Sequence, residues 1–199
     1  MPKVRFSLPV LLILCLTACT AGRSTTVATP SSEGLDSEQQ AVYAAVLQTL
    51  YGAPTYVIMA ATATDLSGVG NPAQTLDYVV QNMHGITSET LDSFRVRNDA
   101  AYPVRSDMAL GVPYILLSQQ SRDLTFSQNQ SGWEIFYGQY PDAPGITSLS
   151  QVGFNASFDQ ALVYIGTESN WQAGAGYYLL LKKTNGTWSI DQQVMIWVS

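Results

Sequence analysis

Asn185-Gly186 stands between two runs rich in β-branched and aromatic residues, Tyr177–Thr184 and Thr187–Val198. Both residues tolerate positive φ, which a two-residue type I′ turn requires. The pair therefore predicts a β-hairpin. With that turn the register follows: Thr184 opposes Thr187, Lys183 opposes Trp188, Leu181 opposes Ile190, Leu179 opposes Gln192 and Tyr177 opposes Val194. Alternation places Tyr177, Leu179, Leu181, Trp188, Ile190, Val194 and Ile196 on the core face. Tyr178, Lys182, Ser189, Asp191 and Gln193 fall on the other, where Leu180, Met195 and Trp197 point to partial cover. Upstream, Gln151–Ala156 and Gln160–Thr167 read as a second hairpin through Ser157-Phe158-Asp159. A longer connection over 166–176 joins the two hairpins. The chain from Gln160 onward is thus an antiparallel β-meander.

The segments before it are mostly helical. Asp36 or Ser37, with Gln39 or Gln40 placed for a capping box, starts a helix over 37–51. Its apolar face holds Val42, Val46, Leu47 and Leu50, and Gly52 and Pro54 end it. Tyr56–Thr62 is almost wholly apolar and reads as a central strand. Pro72 opens a helix to about Met83, with Leu76, Val79, Val80 and Met83 inward. Thr87 or Ser88 caps a shorter helix to Arg97 that holds Leu91 and Phe94. Residues 98–111 are irregular, 112–118 a strand, and 118–131 a polar stretch that reads as a short helical turn or a loop. Trp133, Phe136, Tyr137 and Tyr140 are spaced i, i+3, i+4, i+7, which favours a short helix; 141–148 follows as a loop. Helices early and strands late give an α+β class, with N-terminal helices packed on one face of a mainly antiparallel sheet.

The N-terminus is a targeting segment. Lys3 and Arg5 precede a short apolar run, Leu8 to Leu16, too short to span a bilayer comfortably. The run ends in Leu16-Thr17-Ala18-Cys19, which resembles the lipobox of bacterial lipoproteins. The resemblance implies cleavage before Cys19, lipidation of that cysteine with palmitate-type chains, and an extracytoplasmic place at the cell envelope, leaning to the outer membrane if the host has one. The expected parts are a signal peptide over 1–18, a Ser/Thr/Ala/Pro-rich tether over 19–34 and a single domain over 35–199. Cys15 would leave with the signal and Cys19 would carry lipid, so no thiol would remain for disulfides, metals or nucleophilic catalysis.

Charge narrows the function classes. Cleavage removes Lys3 and Arg5 and takes the formal charge from −6 to −8. An acidic domain with few clustered cations is a poor nucleic-acid binder. His84 is the lone histidine and H-E-x-x-H is absent, so no metal and no cofactor is expected. Gly174-Ala175-Gly176 precedes a strand where a dinucleotide fold needs the reverse order. It reads as a turned or mobile loop. Arg95 and Arg97 are two apart and face different directions on a helix, which makes no anion site.

The residues left as catalytic candidates are Glu134, a carboxylate among aromatics, and His84, a general base near a helix end. Trp133, Tyr137 and Tyr140 are the ligand-binding candidates, since aromatic surfaces bind carbohydrate. Trp133…Tyr140-Pro141, Val152-Gly153-Phe154-Asn155, Gly174-Ala175-Gly176-Tyr177-Tyr178 and Asn185-Gly186-Thr187-Trp188 are similar to bacterial secreted and lipoprotein domains, a resemblance that implies no activity. The final hairpin also resembles the closing strands of NTF2-like (cone-shaped α+β) domains. The expected function is a membrane-anchored domain that binds a ligand, glycan or envelope protein without catalysis. The alternative is a hydrolase acting on cell-wall or extracellular material.

Overall fold

The computed structural model describes residues 32–50, 52–66, 71–127 and 131–199. The expected signal, Cys19 and most of the tether lie outside the described residues. Among the described residues, five helices and seven strands follow in the order α1 (Ser32–Leu50), β1 (Tyr56–Met59), α2 (Pro72–Asn82), α3 (Ser88–Arg97), β2 (Tyr114–Leu117), α4 (Gln119–Phe126), α5 (Gly132–Gln139), β3 (Ile146–Leu149), β4 (Gly153–Phe154), β5 (Gln160–Asn170), β6 (Ala173–Thr184) and β7 (Thr187–Val198). The class is α+β.

All strands join one mixed sheet in the order β2-β1-β3-β5-β6-β7, with β4 also paired to β5. β1 runs parallel to both β2 and β3. From β3 onward the pairing is antiparallel, ending in the β5-β6-β7 meander. The parallel part follows from apolar runs buried on both faces: Tyr56, Val57 and Ile58 have no exposed surface. β3 occupies the segment expected to be a loop. Its sequence, Ile146-Thr147-Ser148-Leu149, is too short and polar to announce a central strand, yet it pairs on both sides.

Helices cover both faces of the sheet rather than one. α1 places Val42, Tyr43, Val46 and Leu47 on a single stripe, fully buried against one face. Leu179 and Leu181 of β6 point toward it, while the alternating Tyr178 and Leu180 point to the opposite face. There α2 contributes Leu76, Val79 and Met83, and α3 contributes Phe94. Val80, expected inward, is 40% exposed. α5 covers the β1–β3 end of that same face with Trp133 and Phe136. Helix ends follow their caps: Asn71 Oδ1 accepts from Ala73 N–H before α2, and Thr87 Oγ1 from Thr90 N–H before α3.

The Asn185-Gly186 turn forms with positive φ at both residues, 51° and 81°. The first three expected pairs hold: Thr184 with Thr187, Lys183 with Trp188, Leu181 with Ile190. A register shift then occurs between Leu180 and Leu181, so Leu179 meets Gln193 and Tyr177 meets Met195. One extra residue in β7 exchanges its faces. Val194 and Ile196 therefore pack with Tyr178 and Leu180, on the face opposite Trp188.

The connection over 166–176 is no loop. β5 and β6 continue through it, with Trp171 and Gln172 at the turn. Gly166 and Gly176 are cross-strand partners, and the Trp197 indole lies over them and Gly174. A Cβ on Gly176 would stand 1.8 Å from Trp197 Nε1. The glycines are there to admit that ring, whose Nε1 donates to Tyr164 Oη at 3.0 Å.

Candidate functional site

A local irregularity in the sheet builds the site. β3 and β4 pair with β5 as two parts of one line, but Leu149 meets Ile165 while Gly153 meets Leu162. Three residues, 150–152, thus face two on β5, which is a bulge. Ser150 holds it: its N–H donates to the Tyr164 carbonyl (3.0 Å), and its Oγ accepts from Tyr164 N–H (2.8 Å). The bulge re-aims Gln151. Asn98, the residue capping α3, clips the Gln151 backbone in both directions. Its Oδ1 accepts from Gln151 N–H at 2.8 Å and its Nδ2 donates to Gln151 O at 3.1 Å.

Arg97, the last residue of α3, lies beside that clip. Its Nη2 donates to Gln151 Oε1 (2.7 Å) and to Gln39 Oε1 of α1 (2.8 Å). Gln39 also accepts from Val152 N–H at 3.3 Å, so one amide joins α1, α3 and the bulge. α1 begins at Ser32 rather than at 37, so Asp36, Ser37, Gln39 and Gln40 lie within the helix and form no capping box at its start. Tyr43 Oη, beneath, donates to Ser150 O at 2.7 Å.

The opposite wall is the segment after α3. It is irregular but pinned. Pro103 bridges Ala61, Val104 N–H donates to Ala60 O, and Tyr102 exchanges hydrogen bonds with Thr62. Tyr114 Oη donates to Arg105 O and accepts from Met108 N–H. Between this wall, α1 and the bulge lies an open cavity of about 740 Å³. Val96, Tyr102, Val104 and Met108 give it an apolar side; Asp36, Gln39, Arg97 and Arg105 give it a polar one. That volume falls in the ordinary range of small-molecule sites.

The cations of the cavity differ in state. Arg105 is exposed and held bidentately by Asp107 at 2.9 and 2.7 Å, with Asp36 at 3.4 Å. Arg97 is half-buried, and no carboxylate lies within ion-pair distance of it among the described residues. Its Nε is buried with no hydrogen-bond partner among them. Burial pulls its pKa below the ordinary value, offset by Tyr43, Asp36 and Tyr102. The Tyr43 phenol is pushed well up by burial and drawn back by Arg97. The arrangement can bind and orient a small molecule.

The residues singled out from sequence lie elsewhere. Trp133, Tyr137 and Tyr140 do come together, with Phe136 among them. Trp133 stacks on Tyr137 at 5.9 Å, and Phe136 meets Tyr140 at 5.2 Å. Trp133 is only 7% exposed, however, and Tyr137 Oη donates to Ser169 O, so this group packs α5 onto β1 and β3. Glu134 is exposed on the first turn of α5. His84 is exposed after α2, where Gln192 of β7 clasps its backbone N–H and carbonyl at 2.8 and 2.6 Å. β5 and β6 stand between β3, under α5, and β7, a separation of roughly 14 Å from strand spacing. Glu134 and His84 are not brought together. Among the described residues no group of three or more His, Cys, Asp or Glu could hold a metal ion, and no helix is long and apolar enough to cross a membrane.

Sequence reasoning missed Arg97. Arg95 and Arg97 do diverge: Arg95 is exposed and pairs with Asp92 at 3.3 Å. The divergence turns Arg97, and not Arg95, toward the cavity. The available signal was its place in the last turn of a short helix, just before Asn98 and the irregular stretch. Comparison with protein-family profiles, curated proteins and solved structures found no match.

Proposed function

We propose that this chain is a lipid-anchored extracytoplasmic protein of the bacterial cell envelope, at the outer membrane where the host has one. Its domain binds a small ligand in the Arg97 cavity without transforming it. The observation that carries the binding role is the open cavity of about 740 Å³, which combines an apolar wall with a half-buried arginine lacking a counterion among the described residues. Leu16-Thr17-Ala18-Cys19 supports the anchor. The hydrolase alternative draws no support from Glu134 and His84, which sit on separate parts of the sheet.

Two measurements test the reading. Radiolabelled palmitate should enter the protein and be lost in Cys19→Ala; label that survives the change refutes the anchor. Small-molecule fragments that bind the folded state raise the thermal midpoint by mass action. Fragments carrying both polar and apolar groups should do so here. A panel that leaves the midpoint of the full-length protein unmoved refutes the ligand-binding role.

A further inference from the structure

We infer that the cavity selects a monocarboxylate with an apolar body, and that Arg97 is the residue that selects it. The inference deepens the ligand-binding reading and rests on it.

Three features of the cavity carry it. The first is the state of Arg97. Both oxygens that face its Nη2 belong to neutral amides, Gln39 and Gln151. These orient the planar guanidinium without cancelling its charge. Nη2 is taken up by the two amides and Nε is buried, which leaves Nη1 as the donor for a ligand. A half-buried guanidinium held in a fixed plane is matched well by a carboxylate, which accepts from its remaining N–H groups in that plane.

The second is the charge around it. Arg105 is already chelated by Asp107, with Asp36 beside it, so it offers no second free cation. Asp36 itself lines the cavity. One uncompensated positive charge facing one carboxylate admits a monoanion and repels a dianion. Phosphate monoesters are disfavoured on this ground, as they carry close to two negative charges near neutral pH.

The third is the facing wall. Val96 is 71% exposed and Tyr102 45% exposed, large apolar surfaces at the rim of the same cavity. Pro103, Val104 and Met108 continue that side. A ligand whose head meets Arg97 would lay its apolar portion there and remove both surfaces from water.

The test is calorimetric titration of the full-length protein in nonionic detergent. The probes are hexanoate, 4-phenylbutanoate, the amide of each, and inorganic phosphate. The expected result is saturable binding of both carboxylates, at least about 10-fold weaker binding of the amides, and no saturation by phosphate. Arg97→Gln should weaken the carboxylates by about 10-fold or more and the amides by markedly less. Arg97→Lys keeps the charge and loses the fork, and should fall between. Tyr102→Ala, on the exposed wall, should weaken carboxylates and amides alike without unfolding the domain. If amides bind as well as carboxylates, or Arg97→Gln and Arg97→Lys leave carboxylate affinity intact, the monocarboxylate inference is overturned and the ligand-binding role stands. Phosphate binding as tight as hexanoate also overturns the inference. If no probe saturates, the monocarboxylate inference is overturned, and the fragment panel alone decides the ligand-binding reading.

Discussion

Gln151 Oε1 lies 2.7 Å from Arg97 Nη2, although 54 positions separate the two residues in the chain. The contact exists because a bulge in the sheet and the end of a helix arrive at one place. Ser150 stabilises the bulge and Asn98 locks it to α3. The cavity follows from that junction rather than from any contiguous motif.

Asn98 is accordingly the residue on which the junction depends. Replacing it with Ala leaves the Gln151 N–H, now paired to Asn98 Oδ1, without its partner in a poorly exposed site. The expected cost is about 1–3 kcal/mol of unfolding free energy. Urea denaturation measures it. A change under about 0.5 kcal/mol would mean that the bulge is held by Ser150 alone.

Trp188 anchors α1 to the closing strand. Its ring is 5% exposed, packs on Phe154 at 5.8 Å, and its Nε1 donates to Glu38 Oε2 at 2.7 Å. Lys183 pairs with the other Glu38 oxygen and lies 5.6 Å from the Trp188 ring. Trp188→Ala should cost roughly 3–5 kcal/mol. A loss below about 1 kcal/mol in equilibrium unfolding would show that the ring is not core.

Gly176 and Trp197 should behave as one unit. Gly176→Ala drives a methyl into the indole and displaces it from Tyr164, at an expected cost of about 1–3 kcal/mol. Trp197→Ala removes the obstacle. The double variant should therefore be less destabilised than the sum of the two single changes, by about 0.5 kcal/mol or more. Strict additivity in a double-mutant cycle would contradict the close approach.

These cases show where the sequence was legible. The Asn185-Gly186 turn and β6 alternation are local, and both were readable, as were the capped helices α2 and α3. β3 was not, because four partly polar residues become a central strand only when β1 and β5 enclose them. The β7 register failed past Ile190 for a related reason. A bulge adds a residue without a sequence mark, and the faces exchange after it. Glycines 174 and 176 suggested a turn when taken alone; their meaning lies in Trp197, a residue distant in sequence. The spacing of Trp133, Phe136, Tyr137 and Tyr140 marks a helix face, and Trp133 and Phe136 on it are buried against β1 and β3. Arg97 was invisible as a site residue because its partners, Gln39 and Gln151, are neutral amides with no spacing rule.

The acid limb of stability should be shared by three exposed carboxyls. Asp107 is held below its ordinary value of 3.8 chiefly by hydrogen bonds from Arg105. Asp159 is held below it by Asn155 and then Ser157, and Asp191 by Lys182 and then Gln192. All three folded-state values are depressed. Their contribution is complete above the unfolded value and is lost as pH falls through the folded ones. Carboxyl-carbon NMR should find each midpoint below 3.8, and Asn155→Ala should raise that of Asp159. A midpoint at or above the ordinary value in the parent protein would contradict these pairings.

The most direct test of the account reads the Arg97 side chain itself. In the full-length protein, hexanoate should shift the Arg97 Nε–H resonance and the amides of residues 96–108, and leave those around Trp171 and His84 in place. Perturbations that spare Arg97 and gather at the Trp133–Tyr140 helix or at His84 would contradict it.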